Sequence, residues 1–169
     1  MQLKSQKKNG AILSFDPNIR EPLWKDMEDA RTQMAYGLSV CDILKISDNE
    51  IQWFSGKEDY TEGIHMLQQT YQIPLILLSM GKDGSRAYYK DMLVEVPAFL
   101  QKNTIETTGA GDTFGACCLH HILKYGLDNL TKQQLKEMLT FANAAASIIT
   151  TRKGALRVMP SLEEIQRLL

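Results

Sequence analysis

The chain has 169 residues, enough for one domain with a real core, and its 44% apolar and 23% charged residues lie near the globular average. These values exclude a disordered or fibrous chain, and a net charge of -1 offers no basic footprint for nucleic acid.

In chain order, Lys4, Lys7 and Lys8 come first and read as a solvated helix end rather than a binding arm. The mostly apolar run Ala11–Phe15 predicts a buried parallel strand, ended by the turn chemistry of Asp16-Pro17-Asn18. A helix is expected over about 25–38 and a strand over about Asp42–Ile46. Ser47 and Glu50 then open a helix with the Ser-x-x-Glu capping box. Another helix over 59–71 leads into a third buried strand, Pro74–Ser79. Turns at Gly81–Gly84 and Asp91-Met92 set off strands Arg86–Lys90 and Leu93–Pro97, an antiparallel edge. A helix runs from Gly111 to about Tyr125 and stops at Gly126. The next, over 131–151, buries Leu135, Met138, Leu139, Ala142, Ala145, Ala146 and Ile149 at helical spacing. Ser161 caps a short terminal helix with Glu164 at its third position. Alternating strands and helices indicate an α/β layered domain with a mostly parallel sheet, whose ligands gather beyond the strands' C-terminal ends.

Three cysteines, Cys41, Cys117 and Cys118, are an odd number without metal spacing and suit a reducing compartment. No apolar run approaches the roughly 18 residues of a membrane span, and no signal-peptide core is present. The expectation is a cytoplasmic protein with neither nucleic-acid nor membrane partners. His65, His120 and His121 lack acidic or cysteine partners at ligand spacing, which argues against a metal site there.

The most informative segment is Thr107–Phe114, where Gly109, Ala110 and Gly111 precede Asp112 at the start of a helix. Helix N-termini present unpaired N–H groups and favour negative charge, and glycines let an anion approach closely. A carboxylate beside such a cradle repels an anion unless it has work there, such as accepting a proton from an attacking hydroxyl. The bland alternative is a glycine turn with an acidic residue in the first helical turn.

Taken with other segments, this one resembles the ribokinase/PfkB family of sugar kinases, whose signature Asp-Thr-Thr-Gly-Ala-Gly-Asp-x-Phe matches Thr107–Phe114. The resemblance implies a Rossmann-type three-layer α/β/α fold, Asp112 as catalytic base, and an anion hole from the backbone of Gly109, Ala110 and Gly111. Glu106 stands where the family commonly has Asp, at a position that helps build a monovalent-cation site in some members; use of K+ is therefore open. Phe15–Arg20 resembles the Asp-Pro-Asn-x-Arg segment of fructokinases and 2-keto-3-deoxygluconate kinases, which implies that Asn18 and Arg20 face the sugar and phosphoryl region. The residue-level alternative is a capped turn with a surface arginine. Lys45–Glu50 resembles the family's Asn-x-x-Glu segment, with Ser47 at the Asn position, and gives Glu50 a part in organising Mg2+ through its water shell. A capping box explains the same two residues, and the readings are compatible.

Ser79, Gly81 and Gly84 resemble the Thr-x-Gly-x-x-Gly nucleotide segment. Asn143 among alanines resembles the asparagine beside adenine, and Gly154-Ala155 the small-residue loop near the base. Members of the family are about twice this length. The chain therefore reads as a single partial domain, residues 1–169, the C-terminal nucleotide-binding part of a PfkB-type kinase with the N-terminal half and lid missing. The implied activity is ATP-dependent phosphoryl transfer to a sugar hydroxyl, most like fructokinase. The alternatives are a non-catalytic nucleotide-binding remnant, or a 2-keto-3-deoxygluconate kinase-like or ribokinase-like enzyme. Removing part of a parallel sheet exposes apolar edges, so the isolated chain is expected to self-associate or to need the absent half.

Overall fold

Strands β1 (Ser14–Phe15), β2 (Ile43–Ser47), β3 (Leu75–Ser79), β4 (Ser85–Tyr89) and β5 (Met92–Val96) form one sheet in sequence order in the computed structural model, which describes residues 9–169. The lysine run at the N-terminus lies outside the described residues. β1 and β2 pair in parallel, Ser14 opposite Ile43 and Phe15 opposite Leu44. β2 reaches β3 through two helices, as parallel neighbours require, whereas only Lys90 and Asp91 join β4 to β5, a connection open only to antiparallel strands. The fold is α/β with a mostly parallel sheet, as the alternation of elements predicts.

Helices α1 (Met27–Val40), α2 (Asp48–Ser55), α3 (Tyr60–Tyr71), α4 (Ala110–Tyr125), α5 (Lys132–Ile149) and α6 (Leu162–Leu168) complete the described architecture. β1 is shorter than the predicted Ala11–Phe15. The Leu13 N–H donates to the Asp42 carboxylate at 2.9 Å instead of to a strand, so the ladder begins only at Ser14. A 3-10 turn over Glu21–Leu23, carrying Pro22, also goes beyond the sequence reading.

The chain divides into two compact units, Met1–Leu78 with Tyr88–Asp91 and Ser79–Ala87 with Met92–Leu169. In the first, β2 and β3 bury near-continuous apolar runs, Ile43, Leu44 and Ile46, then Leu75 through Leu78. Ala30, Met34 and Leu38 form the buried face of α1 at helical spacing, and a Cβ on Gly37 would stand 2.5 Å from the Phe15 ring. That glycine lets the Phe15 ring approach the helix closely.

In the second unit α4 packs on α5, which also meets β5 and α6. Leu135, Met138, Leu139, Ala142, Ala145 and Ile149 of α5 are buried as predicted, each large side chain contributing about 1.5–3 kcal/mol. Ala146 departs from that pattern: it is half-buried and lines a cavity, while Asn143, Ala144 and Ser147 are buried. The helix is enclosed on a second side because the loop between β5 and α4 packs along it.

Candidate active site

Five of the six described helices begin with a side chain that accepts an N–H of the first turn: Asp26, Ser47, Asp59, Thr131 and Ser161. α4 does not. Its N-cap is Gly109, in the left-handed region at φ 77°, ψ -3°, with no side-chain cap. The Ala110 N–H bonds to the Thr107 carbonyl at 3.1 Å and that of Thr113 to the Gly109 carbonyl at 2.9 Å. Those of Gly111 and Asp112 have no acceptor among the described residues. Two adjacent open donors stand at the positive end of a 16-residue helix, an arrangement that suits an anion. Glycine at 109 is required twice over, by its φ and because a Cβ would meet Ile149 at 3.2 Å and Ala155 at 3.3 Å. Asp112 is exposed in the same turn, where it can exchange a proton with a bound hydroxyl.

A cavity of about 310 Å³ adjoins this turn within the same unit. Of the predicted residues, Ser79, Gly81, Gly84, Ala110, Gly111 and Asn143 all line it. Phe99, Leu100 and Phe114 give it apolar walls fit for a flat ring. Gly84, at φ 98°, sits so close to the end of β5 that a Cβ would fall 2.2 Å from the Val96 carbonyl oxygen. Gly154 and Ala155 are not among the lining residues; Ala155 packs behind Gly109 instead.

Asn143 is buried and committed within the protein. Its Nδ2 donates to the carbonyls of Val96 and Pro97, both at 3.1 Å, and its Oδ1 accepts from the Ser85 hydroxyl at 2.9 Å. Both amide protons are thus spent on shaping the cavity wall. Ser147 and Thr150, four and seven residues on, continue the same side of α5 and also line the cavity. The Ser147 hydroxyl accepts from Gln101 at 3.2 Å, and the Thr150 carbonyl accepts the N–H groups of Ile105 at 2.8 Å and Glu106 at 3.3 Å. These contacts fasten the β5–α4 loop along α5. The sequence reading picked out Asn143 alone of the three, although their 143, 147, 150 spacing was a readable signal.

In the first unit, Asn18 adopts φ 45°, a left-handed conformation that asparagine tolerates. The next N–H, of Ile19, donates to Glu50 Oε1 at 2.8 Å. Glu50 Oε2 accepts from the Ser47 N–H and hydroxyl, both at 2.9 Å, completing the predicted capping box. Glu50 therefore pins the loop that carries Asn18 and the exposed Arg20. Lys45 pairs with Asp16 at 3.0 Å behind that loop. No cluster of three or more His, Cys, Asp or Glu suited to a metal occurs among the described residues. Burial pushes the Cys117 thiol up to about 11 and that of buried Cys118 well above its ordinary range, which leaves both as unreactive thiols at neutral pH.

The pfkB family carbohydrate kinase model matches residues 1–162. Fructokinase-1 of Zea mays is 36% identical over 96% of this chain and 50% of its own length. The fructokinase of Klebsiella pneumoniae is 36% identical over 98% of this chain and 53% of its own. Among solved structures, the fructokinase of Vibrio cholerae O395 in its fructose-, ADP- and calcium-bound form superposes with a TM-score of 0.88 at 26% identity, covering 99% of this chain and 53% of that one. The chain spans about half the length of each of these three relatives. A glycine-capped, open helix start beside an apolar cavity, in a sequence that matches over nearly its whole length, places this chain in the pfkB family of carbohydrate kinases.

Proposed function

We propose that this chain carries the nucleotide site and the proton-accepting carboxylate of an ATP-dependent sugar kinase with a fructose-like substrate. The observation that carries this reading is the start of α4, where a side-chain cap is replaced by Gly109 and two N–H groups are left open beside the exposed Asp112. The nucleoside occupies the cavity walled by Phe99, Leu100 and Phe114, with Ser79, Gly81 and Gly84 along the nucleotide and Asn143 holding the wall. Asp112 takes the proton of a sugar hydroxyl as its oxygen bonds to the γ-phosphorus and the bond to the β-phosphate oxygen breaks, releasing ADP. The N–H groups of Gly109, Ala110 and Gly111 are assigned to the anion hole, of which Gly111 supplies an uncommitted donor; the Asp112 N–H supplies another. Asn18 and Arg20 are assigned to the sugar and phosphoryl side, Arg20 through a charge-assisted contact.

Magnesium neutralises nucleotide phosphate charge when bound. It keeps most of its waters and needs one or two carboxylates, so it requires no dedicated cluster of side chains. The Glu50 oxygens already accept three protein donors, which fits an outer role through water rather than direct ligation. A role for K+ rests on the family resemblance alone. Self-association, or a partner in trans, rests on the sequence expectation alone.

A second reading has the chain bind nucleotide without catalysis. Fructose-dependent ATP consumption by the chain alone decides between the two. Turnover overturns the second reading, while ADP binding without turnover supports it. Undiminished turnover in Asp112→Asn removes the base assignment.

A further inference from the structure

Glu106 carries a carboxylate that the proposed reaction does not use. Its Oε1 accepts the Gly154 N–H at 2.6 Å, across 48 residues of chain. The segment around it is braced to the same loop by the Thr150 carbonyl, which takes the Ile105 and Glu106 N–H groups. Gly154 stands at φ 121°, a conformation closed to other residues without strain, and the next residue, Ala155, lies directly behind Gly109. Gly109 in turn sets the direction of the open N–H groups of α4. A continuous path thus runs from the Glu106 carboxylate through Gly154 and Ala155 to the backbone that forms the anion cradle.

We propose that Glu106 is a positioning residue: its carboxylate holds the Gly154-Ala155 turn against Gly109 and so fixes the aim of the Gly111 and Asp112 N–H groups at phosphate. The inference rests on the reading of α4 as a phosphate site. Its geometry separates it from a direct electrostatic role. A carboxylate near the cradle repels an anion, so removing its charge alone would strengthen phosphate binding. Removing a strut weakens it.

The test compares ADP with adenosine, which lacks phosphate, by calorimetry on the full chain carrying Glu106→Ala, Glu106→Asp or Glu106→Gln. Gln keeps an acceptor oxygen on a stem of the same length, Asp is one methylene too short, and Ala has no acceptor. Expected is a loss of about tenfold in ADP affinity for Ala and Asp, the scale of one hydrogen bond, with adenosine affinity unchanged and Gln at or above wild type. Equal weakening of both ligands, unchanged ADP affinity in Ala, or failure of Gln to rescue overturns the proposal. Wild-type chain that binds adenosine and ADP equally overturns the phosphate reading of α4 itself. If the Ala variant fails to fold, the Gly154 amide decides. Its resonance should exchange with solvent faster in Asp than in Gln, and equal protection in both removes the strut.

Discussion

The starts of α2 and α4 meet the same physical demand in opposite ways. Each helix leaves N–H groups that intrahelical bonding cannot satisfy. At α2 the chain caps itself: Ser47 accepts the Glu50 N–H, Glu50 accepts that of Ser47, and Glu50 also takes the Ile19 N–H. At α4 glycine replaces the capping side chain, and the Gly111 and Asp112 donors remain open among the described residues. A self-capped helix start is explained by stability alone, whereas a glycine-capped one forgoes a few tenths of a kcal/mol and leaves donors that an anion can take. The two carboxylates follow suit, Glu50 tied to three donors and Asp112 exposed.

Substitution should break the pair apart. In a preparation that phosphorylates fructose, Asp112→Asn is expected to lower turnover by about 10²–10⁴-fold and leave the melting midpoint nearly unchanged, as steady-state assay and calorimetry would show. A large loss of stability instead would put Asp112 with the structural carboxylates. Gly84→Ala should come next in size, with a destabilisation of about 4 kcal/mol read by denaturant titration. Its new methyl would meet the Val96 carbonyl oxygen at 2.2 Å, and rigid backbone cannot yield as a side chain would. Asn143→Leu follows at about 2–3 kcal/mol, because it strands the Ser85 hydroxyl and two carbonyls in a buried place. Glu50→Ala is the counterpart of the Asp112 variant. It is expected to cost about 1–2 kcal/mol of stability, and a ligand-free melt is enough to see it.

The same contrast explains what could be read in advance. Capping boxes at Ser47, Thr131 and Ser161 are local, spanning three residues, and those at Ser47 and Ser161 were legible as such. The α4 start was legible because Gly109, Gly111 and Asp112 stand within four residues. The periodic face of α5 gave that helix, and the buried run Pro74–Ser79 gave β3. What escaped is long-range. Nothing in the sequence near Glu106 announces Gly154 as its partner, and the Asn143 contacts reach back 46 to 58 residues. The truncated β1 has the same origin, since Asp42, 29 residues later, takes the Leu13 donor that a strand would have used. Ala146 was assigned to the core because periodicity registers an apolar side chain but not the cavity it borders.

The far end of α4 offers the smallest effect and a control on the first. His121 is part-buried, and its pKa is lowered, first by desolvation and then by the neighbouring His120 and Lys124 charges. The hydrogen bond from its ring to the Cys117 carbonyl and the Glu137 carboxylate oppose that shift without cancelling it. Folding therefore favours the neutral ring. That contribution is fully present above the unfolded value of 6.5 and is lost as pH falls below it through the folded value. Thermal midpoints measured between pH 5 and 8 should fall slightly more on the acid side in wild type than in His121→Gln. ADP affinity should differ between the two by no more than experimental error at any of these pH values, because the anion cradle is confined to the first turn. A shift in ADP affinity with His121 would mean that the cradle responds to the whole length of α4, and the contrast between its open start and the closed start of α2 would lose its local meaning.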